Sequence, residues 1–524
     1  MSETIKVQDA AGHWRSLRAE PGWTLGQVIF LSGHWPAAPL CSGLGRCGRC
    51  RVRFKENPPV YVPAETRFFS PEELRQGWRL GCQHQALAGA KVFLPRQESF
   101  ARVKPRTGAV SRKAGPGLSL AVDLGTTSLH WSAAEKGKVV ARGMELNPQL
   151  GAGTDVMARL AFASSSLRAE KLKSLVVDRL RAIAADLPGP VTEISLAGNP
   201  AMIFLFLGLD ISGLPAAPYH LAYTGGTVET LAPDLPGVYV LPLLSPFVGG
   251  DVTSGLAAIT LGRPKPSYPF VLADMGTNGE FVLAVSPDEY LAASVPLGPA
   301  LEGTGLTFGA VAEPGAVASF ELSPSGLVPK YLGEPVPGTG VTGTGYLSLL
   351  ARLLSVGLLD VSGRFSSGNT PLAAKLARTM TEVRGEKRLP ITKDAYLTAL
   401  DVEEVLKVKA AFNLALSRLL REAGISENKL CALYLAGALG EHVNVNDMER
   451  LGFFPPGFKA KVRVVGNASL TGAGLVLVED GARAWVQALR PKVRVLDLAL
   501  DPDFMKSFVG GMAFEYVSTP FRGS

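Results

Sequence analysis

Four cysteines crowded into positions 41 to 82 constrain this chain more than any other feature. The segment Leu40-Cys41-Ser42-Gly43-Leu44-Gly45-Arg46-Cys47-Gly48-Arg49-Cys50 spells C-x5-C-x2-C, and Cys82 follows after 31 further residues. Only five cysteines occur in 524 residues, too few for a disulfide framework, so four of them together mark a metal or cluster site. Three thiolates on one short loop must bend around inorganic sulfide. Gly43, Gly45 and Gly48 permit the positive φ that such a loop needs and leave backbone N–H groups free to point at sulfur, where they stabilise added negative charge. The alternative is a structural zinc site, which also takes four cysteines but favours two close C-x2-4-C pairs.

The flanks read as a small β-rich module. Alternation marks strands from Ile5 to Val7 and from Trp14 to Leu17, Thr24 caps a short helix through Leu31, and further strands run from Cys50 to Phe54 and from Lys91 to Leu94. Residues 1–95 resemble [2Fe–2S] ferredoxins of the β-grasp type, with one wrapped loop and one distant ligand; Cys41, Cys47, Cys50 and Cys82 are the expected cluster ligands. His84 raises mixed ligation, but a Rieske site needs two histidines, so His84 is read as a surface or supporting residue. Cys431, amid apolar residues at the start of a strand, is read as a buried packing thiol.

Residues 96–117 are basic and turn-rich, either a flexible linker that would keep the cluster close to the rest of the chain while letting it swing, or a basic ordered crossing. The formal net charge of +7 is modest for this length and partly concentrated at Arg46, Arg49, Arg51 and Arg53. That distribution points to docking on an acidic partner, not to nucleic acid. Apolar stretches are broken well before about 18 residues and no signal-like segment opens the chain. The expectation is a cytoplasmic protein with no membrane segment.

The remainder carries a weak internal repeat. An apolar run from Leu118 leads to Asp123-Leu124-Gly125-Thr126-Thr127, and a second from Phe270 leads to Asp274-Met275-Gly276-Thr277-Asn278-Gly279-Glu280. Each aspartate sits at the tip of an apolar β-hairpin. Later in each half an amphipathic helix, through Leu172, Val176 and Leu180 or through Val405, Phe412 and Leu416, precedes a strand and a small-residue turn. A duplicated α/β fold follows, with halves at residues 118–262 and 263–524. A Gly/Thr-rich hairpin tip presents N–H groups and hydroxyls to phosphate, and an aspartate at its entrance holds hydrated Mg²⁺. Asp123, Gly125, Thr126, Thr127, Asp274, Gly276, Thr277 and Asn278 are therefore the candidate nucleotide-binding residues. Gly437, in Tyr434-Leu435-Ala436-Gly437-Ala438-Leu439-Gly440-Glu441-His442-Val443-Asn444, would let adenine lie against backbone.

In this order, the elements resemble the ATPase superfamily of actin, sugar kinases and heat-shock chaperones from Leu118 to the C-terminus. A ferredoxin joined to such a core resembles the reductive activators of corrinoid proteins. The strings Gly198-Asn199, Val248-Gly249-Gly250-Asp251, Gly298-Pro299-Ala300-Leu301-Glu302-Gly303 and Gly466-Asn467-Ala468 strengthen the resemblance. It implies ATP-dependent return of Co(II) cobalamin to Co(I), with a corrinoid protein of a methyltransferase system as partner and an upstream electron donor; a homodimer is compatible with it. Glu280 and Glu302 are candidates for positioning a water, or else charges that satisfy a loop. Asp251 is a phosphate-site residue or a turn residue. The competing function is a nucleotide-binding iron–sulfur redox sensor or adaptor that does not hydrolyse ATP.

Overall fold

The computed structural model describes residues 4–35, 41, 43–45, 48–95, 117–302, 305–312, 314–336, 339–368, 370–383, 385–437 and 443–518. Cys47, linker positions 96–116, Gly303 and residues 438–442 lie outside the described residues. The chain divides into two compact units, Met1–Val240 and Leu241–Ser524. Among the described residues no helix is long and apolar enough to cross a membrane.

The first unit contains two sheets. Strands β1 (Thr4–Gln8) and β2 (Trp14–Arg18) form a hairpin, helix α1 (Leu25–Phe30) follows, and β3 (Arg51–Phe54), β4 (Trp78–Leu80) and β5 (Lys91–Phe93) complete a sheet of order β2-β1-β5-β3-β4. β1 and β5 run parallel and the other neighbours antiparallel. A capping box starts α1: the Thr24 hydroxyl accepts from the Gln27 N–H at 3.2 Å, and the Gln27 side chain accepts from the Thr24 N–H at 2.9 Å. β4 escapes sequence reading because it is three residues long and its middle residue is a buried arginine. Arg79 is held there by donating to the carbonyls of Pro59, Leu74 and Trp78.

The second sheet of this unit contains β6 (Leu118–Leu124), β7 (Ser128–Glu135), β8 (Lys138–Leu146), β9 (Val191–Gly198), β10 (Val228–Glu229) and β11 (Val238–Val240), in the order β10-β11-β9-β6-β7-β8. Helices α2 (Val156–Phe162), α3 (Ser166–Asp186) and α4 (Pro200–Leu207) join its strands. The cluster module does not stand apart from this half: Trp23 meets Phe162 of α2 edge-on, ring centroids 5.1 Å apart. The module is seated on its neighbour by this contact, while linker positions 96–116 lie outside the described residues.

The second unit repeats the plan. Helix α5 (Gly250–Leu261) precedes β12 (Phe270–Met275), β13 (Asn278–Ser286) and β14 (Glu289–Pro296); helix α6 (Ala399–Ala423) leads to β15 (Ala432–Ala436) and β16 (Val462–Gly466), then helix α7 (Ala468–Val478) and β17 (Val493–Leu496). The order is β16-β15-β12-β13-β14-β17. In both halves the first strand lies between its antiparallel hairpin partner and a parallel strand that arrives after a long helix. Both faces of the second sheet are covered, which explains its near-continuous apolar strands. Val271, Ala273, Phe281 and Leu283 pack with Val405 and Phe412 of α6, while Phe270, Leu272, Val282 and Ala284 pack with Val252 and Leu256 of α5.

Candidate functional site

The loop that carries Cys41 and Cys50 has the positive-φ backbone that its glycines suggest. Gly43, Gly45 and Gly48 take φ of +82°, +67° and +67°, and a Cβ on Gly48 would lie 2.5 Å from the Phe68 ring. Cys50 and Cys82 are buried and Cys41 is half-buried. The Cys82 N–H donates to Cys50 Sγ at 3.5 Å, and Gln83 Nε2 donates to Cys82 Sγ at 3.3 Å and to the Gly43 carbonyl. Hydrogen bonds with the thiols of Cys41 and Cys50 hold the Cys82 thiol far above its ordinary pKa, whereas the Cys82 proton draws Cys50 down. The Cys50 sulfur thus lies against the Cys82 backbone, and cysteine sulfurs carried on neighbouring segments fit the donor chemistry of iron–sulfur ligation. Cys47, the remaining expected ligand, lies outside the described residues. His84 is no surface residue: it is 8% exposed, with Nε2 3.0 Å from the fully buried Glu65. Cys431 also departs from expectation. It is exposed just before β15, its N–H tied to the Pro269 carbonyl and its Sγ donating to the Tyr268 carbonyl at 3.2 Å, so the apolar packing begins one residue later.

In the first half, Asp123 is the penultimate residue of β6, opposite His130 of β7 and Ala197 of β9. Gly125, Thr126 and Thr127 make the turn, and a Cβ on Gly125 would approach the Ser128 carbonyl to 2.9 Å. The turn's carbonyls are all held by two neighbours. Asn147 Nδ2 donates to the Gly125 carbonyl at 2.7 Å, the Asn147 N–H to the Thr127 carbonyl at 2.9 Å, and buried Arg159 to the Thr126 carbonyl. Because a peptide is planar and trans, fixing these carbonyls aims the N–H groups of Thr126 and Thr127 away from Asn147 and Arg159, as an anion-binding turn requires. Asn199 adds a side-chain link: its Nδ2 donates to Thr126 Oγ1 at 3.0 Å, while its Oδ1 caps α4 by accepting from the Met202 N–H at 3.0 Å. Pro200 fits the first helical position, where a missing N–H costs nothing.

In the second half, Asp274 is again the penultimate residue of its strand, directly opposite Glu280 on β13 and beside Ala436 on β15. Directly opposed residues share a face, so two carboxylates stand together at the entrance of the Gly276-Thr277 turn. Gly437 completes this cluster. Its φ is +95°, and a Cβ there would lie 2.8 Å from Asp274 Oδ1 and 2.7 Å from the Met275 carbonyl. Its N–H donates to the Gly466 carbonyl at 3.2 Å, and Asn467 then caps α7 by accepting from the Leu470 N–H at 2.7 Å. Opposed like charges are unfavourable unless a cation lies near them. One or two carboxylates completed by water and phosphate is the shell that Mg²⁺ prefers. Among the described residues no three acidic, histidine or cysteine side chains surround a single ion position.

The structure therefore brings Asp123, Gly125, Thr126 and Thr127 together in one turn, and Asp274, Glu280, Gly276, Thr277 and Gly437 together in another. Asn278 begins β13, opposite Pro296. Asp251 lies in the first turn of α5, where its Oδ1 accepts from the Val252 N–H at 2.8 Å. Glu302 ends the short turn Pro299–Glu302, apart from these residues in the chain. Asn147, Arg159 and the bridging role of Asn199 were missed by sequence reading. Asn199 before Pro200 and an apolar run is a helix-start signal, but nothing local to positions 147 or 159 announces a contact with residues 125–127.

Comparisons with known proteins agree with this architecture. The family model of the RACo middle region matches residues 118–263, and the model of the RACo C-terminal domain, the ASKHA domain, matches residues 269–522. The corrinoid activation enzyme RamQ of Eubacterium limosum is 28% identical over 430 residues, covering 77% of this chain and 71% of RamQ. The Co(II) methylated amine-specific corrinoid protein reductase of Methanosarcina barkeri is 27% identical over 335 residues, covering 55% of this chain and 56% of that protein. A solved structure of a reductive activator for corrinoid,iron-sulfur protein has the same fold, with a TM-score of 0.65 at 22% identity, covering 97% of this chain and 98% of that one. With family models matching consecutively across both halves of the duplicated core, the chain belongs to the RACo family of reductive activators of corrinoid proteins.

Proposed function

We propose that this chain is an ATP-dependent reductase of a corrinoid protein, passing an electron from a [2Fe–2S] cluster to Co(II) cobalamin to regenerate Co(I). The observation that carries the reading is the presence, in one member of this family, of a positive-φ glycine loop that sets Cys50 Sγ against the Cys82 N–H, together with a duplicated pair of Asp-Gly-Thr turns. Cys41, Cys47, Cys50 and Cys82 would hold the cluster, which would supply one electron at a time, at about −400 mV if it is of the plant type. Every 100 mV by which the cobalt couple lies lower costs about 2.3 kcal/mol per electron, which nucleotide binding can offset only by favouring one conformation over another. Thr126, Thr127 and Thr277 would bind phosphate oxygens, Asp123 and Asp274 would orient hydrated Mg²⁺, and Glu280 would hold a water beside Asp274. Gly437 keeps the space next to Asp274 open. Exposed Arg51, next to Cys50 and over the Phe69 ring, gives the cluster end a positive charge for an acidic partner surface. The reading also calls for a donor that reduces the cluster between turnovers. The test is to mix dithionite-reduced protein with a Co(II) corrinoid protein and follow the Co(I) absorbance band with and without MgATP. Growth of the band only with MgATP is expected; equal growth without nucleotide defeats the proposal.

A further inference from the structure

The seat of the cluster module on the first half connects two functional sites through a short series of direct contacts. At one end is Cys82. A Cβ on Gly26 of α1 would lie 3.1 Å from the Cys82 N atom and 3.2 Å from the Gly81 carbonyl carbon, and the Leu25 N–H donates to the His84 carbonyl at 2.8 Å. The helix backbone is therefore in contact with the segment that carries the fourth cysteine. One turn later, about 6 Å along the axis at 1.5 Å per residue, α1 ends at Phe30 and Leu31. Both are buried, and a Cβ on Gly151 would meet the Leu31 side chain at 3.0 Å and Phe30 Cβ at 3.2 Å.

Gly151 belongs to the short 3-10 turn Pro148–Ala152, which Asn147 caps by accepting from the Gln149 N–H at 2.9 Å. Asn147 is the same residue that holds the Gly125 and Thr127 carbonyls of the phosphate turn. Arg159 ties the assembly a second time. It donates to the Gly153 carbonyl at 2.9 Å and to the Thr126 carbonyl, and it lies on the helix whose Phe162 receives Trp23. The turn at 125–127, the turn at 148–152 and α2 are thus one hydrogen-bonded body, and that body bears directly on α1. Close packing does not deform continuously, so a shift at one end of such a series must be accommodated at the other.

We propose that Gly151 and Leu31 form a joint through which nucleotide at the first phosphate turn and the electron on the cluster alter each other's binding free energy. Gly151 and Leu31 are positioning residues for the reaction: neither touches substrate or cofactor, and they act through α1 and the Asn147 turn. The proposal rests on the functional reading above. Linkage makes it reciprocal, since a nucleotide that binds the reduced protein more tightly must raise the cluster's midpoint potential by the same free energy.

The experiment uses the full-length protein with its cluster. The affinity for a non-hydrolysable MgATP analogue is measured by calorimetry in the oxidised and dithionite-reduced states, and the midpoint is measured by EPR-monitored titration with and without the analogue. A tenfold difference in affinity is expected, within the usual range of coupling, together with a midpoint shift of about 59 mV, its one-electron equivalent. Gly151→Val, which wedges the joint, and Leu31→Ala, which empties it, should each reduce the difference below twofold. Both should keep the visible cluster spectrum and the oxidised-state affinity, and the second variant stands in if the first does not fold. Equal affinity in the two states of the unaltered protein overturns the joint alone, as does an undiminished tenfold difference in Leu31→Ala. Absence of any nucleotide binding, or of an iron–sulfur spectrum, overturns the functional reading and the joint with it.

Discussion

Gly437 shows how little room a single position leaves. Its positive φ disfavours any residue with a side chain, and the space that side chain would enter is bounded by Asp274 Oδ1 and the Met275 carbonyl. Gly437→Ala should push Asp274 aside and weaken nucleotide binding by tenfold or more in calorimetry, while leaving the visible spectrum of the cluster unchanged. An unaltered nucleotide affinity would remove Asp274 and Gly437 from the site. Single residues were also the most legible level of the sequence where chemistry dictates them. The three loop glycines announced a backbone of positive φ, which the structure has, because that conformation admits few substitutes. Asn147 and Arg159 were illegible for the opposite reason. An asparagine in a turn and an arginine in a helix are compatible with almost any role, and only the fold brings residues 22 and 33 positions away in sequence against the turn at 125–127.

Helices α5 and α7 make their contact through small residues. A Cβ on Gly472 of α7 would stand 1.8 Å from the Ser254 carbonyl oxygen of α5, and Ser254 Oγ already donates to the Ser469 carbonyl. Gly472→Ala therefore has to separate the two helices. A loss of about 1–3 kcal/mol, the usual range for overpacking, is expected in urea unfolding, and a loss under 0.5 kcal/mol would mean that the helices are less closely fitted than described. A second element-level device lies on α6. Lys409 is fully buried and donates to the carbonyls of Gly511 and Glu515. Burial brings its pKa down from 10.5 to about 8, against the opposing pull of Glu515. With the folded value the lower one, the unfolded chain binds more protons between about pH 8 and 10.5, so stability should rise with pH across that window. Unfolding midpoints measured at pH 8 and pH 10 should show this rise in the unaltered protein and a smaller one in Lys409→Met; identical slopes would exclude Lys409 as its source. The apolar periodicity of α6 and α3 was plain in the sequence, but a lysine in the middle of that pattern gives no sign that it will be buried against carbonyls 102 and 106 residues away.

At the scale of the whole molecule, the sequence separates an electron-carrying function from a nucleotide-binding one, and that division was legible because each has its own obligatory residues. The seat between them was not, since Trp23, Leu31 and Gly151 look like ordinary core and turn residues until the fold sets them together. The division makes a clear demand on variants. Cys82→Ser removes one expected cluster ligand, whose N–H meets Cys50 Sγ, but leaves the Asp274, Glu280 and Gly437 group intact. It should abolish the visible iron–sulfur spectrum and Co(I) formation while keeping nucleotide affinity within about threefold of that of the unaltered protein in its oxidised state. Asp274→Asn replaces one of two facing carboxyl groups with an amide of the same size, so the second sheet should fold as before. It should keep the spectrum but lower Mg²⁺-dependent nucleotide affinity at least tenfold, and with it the ATP-dependent part of Co(I) formation. If Asp274→Asn instead retains full ATP dependence, the second turn does not serve the nucleotide, and the energetic role assigned to the duplicated core falls with it.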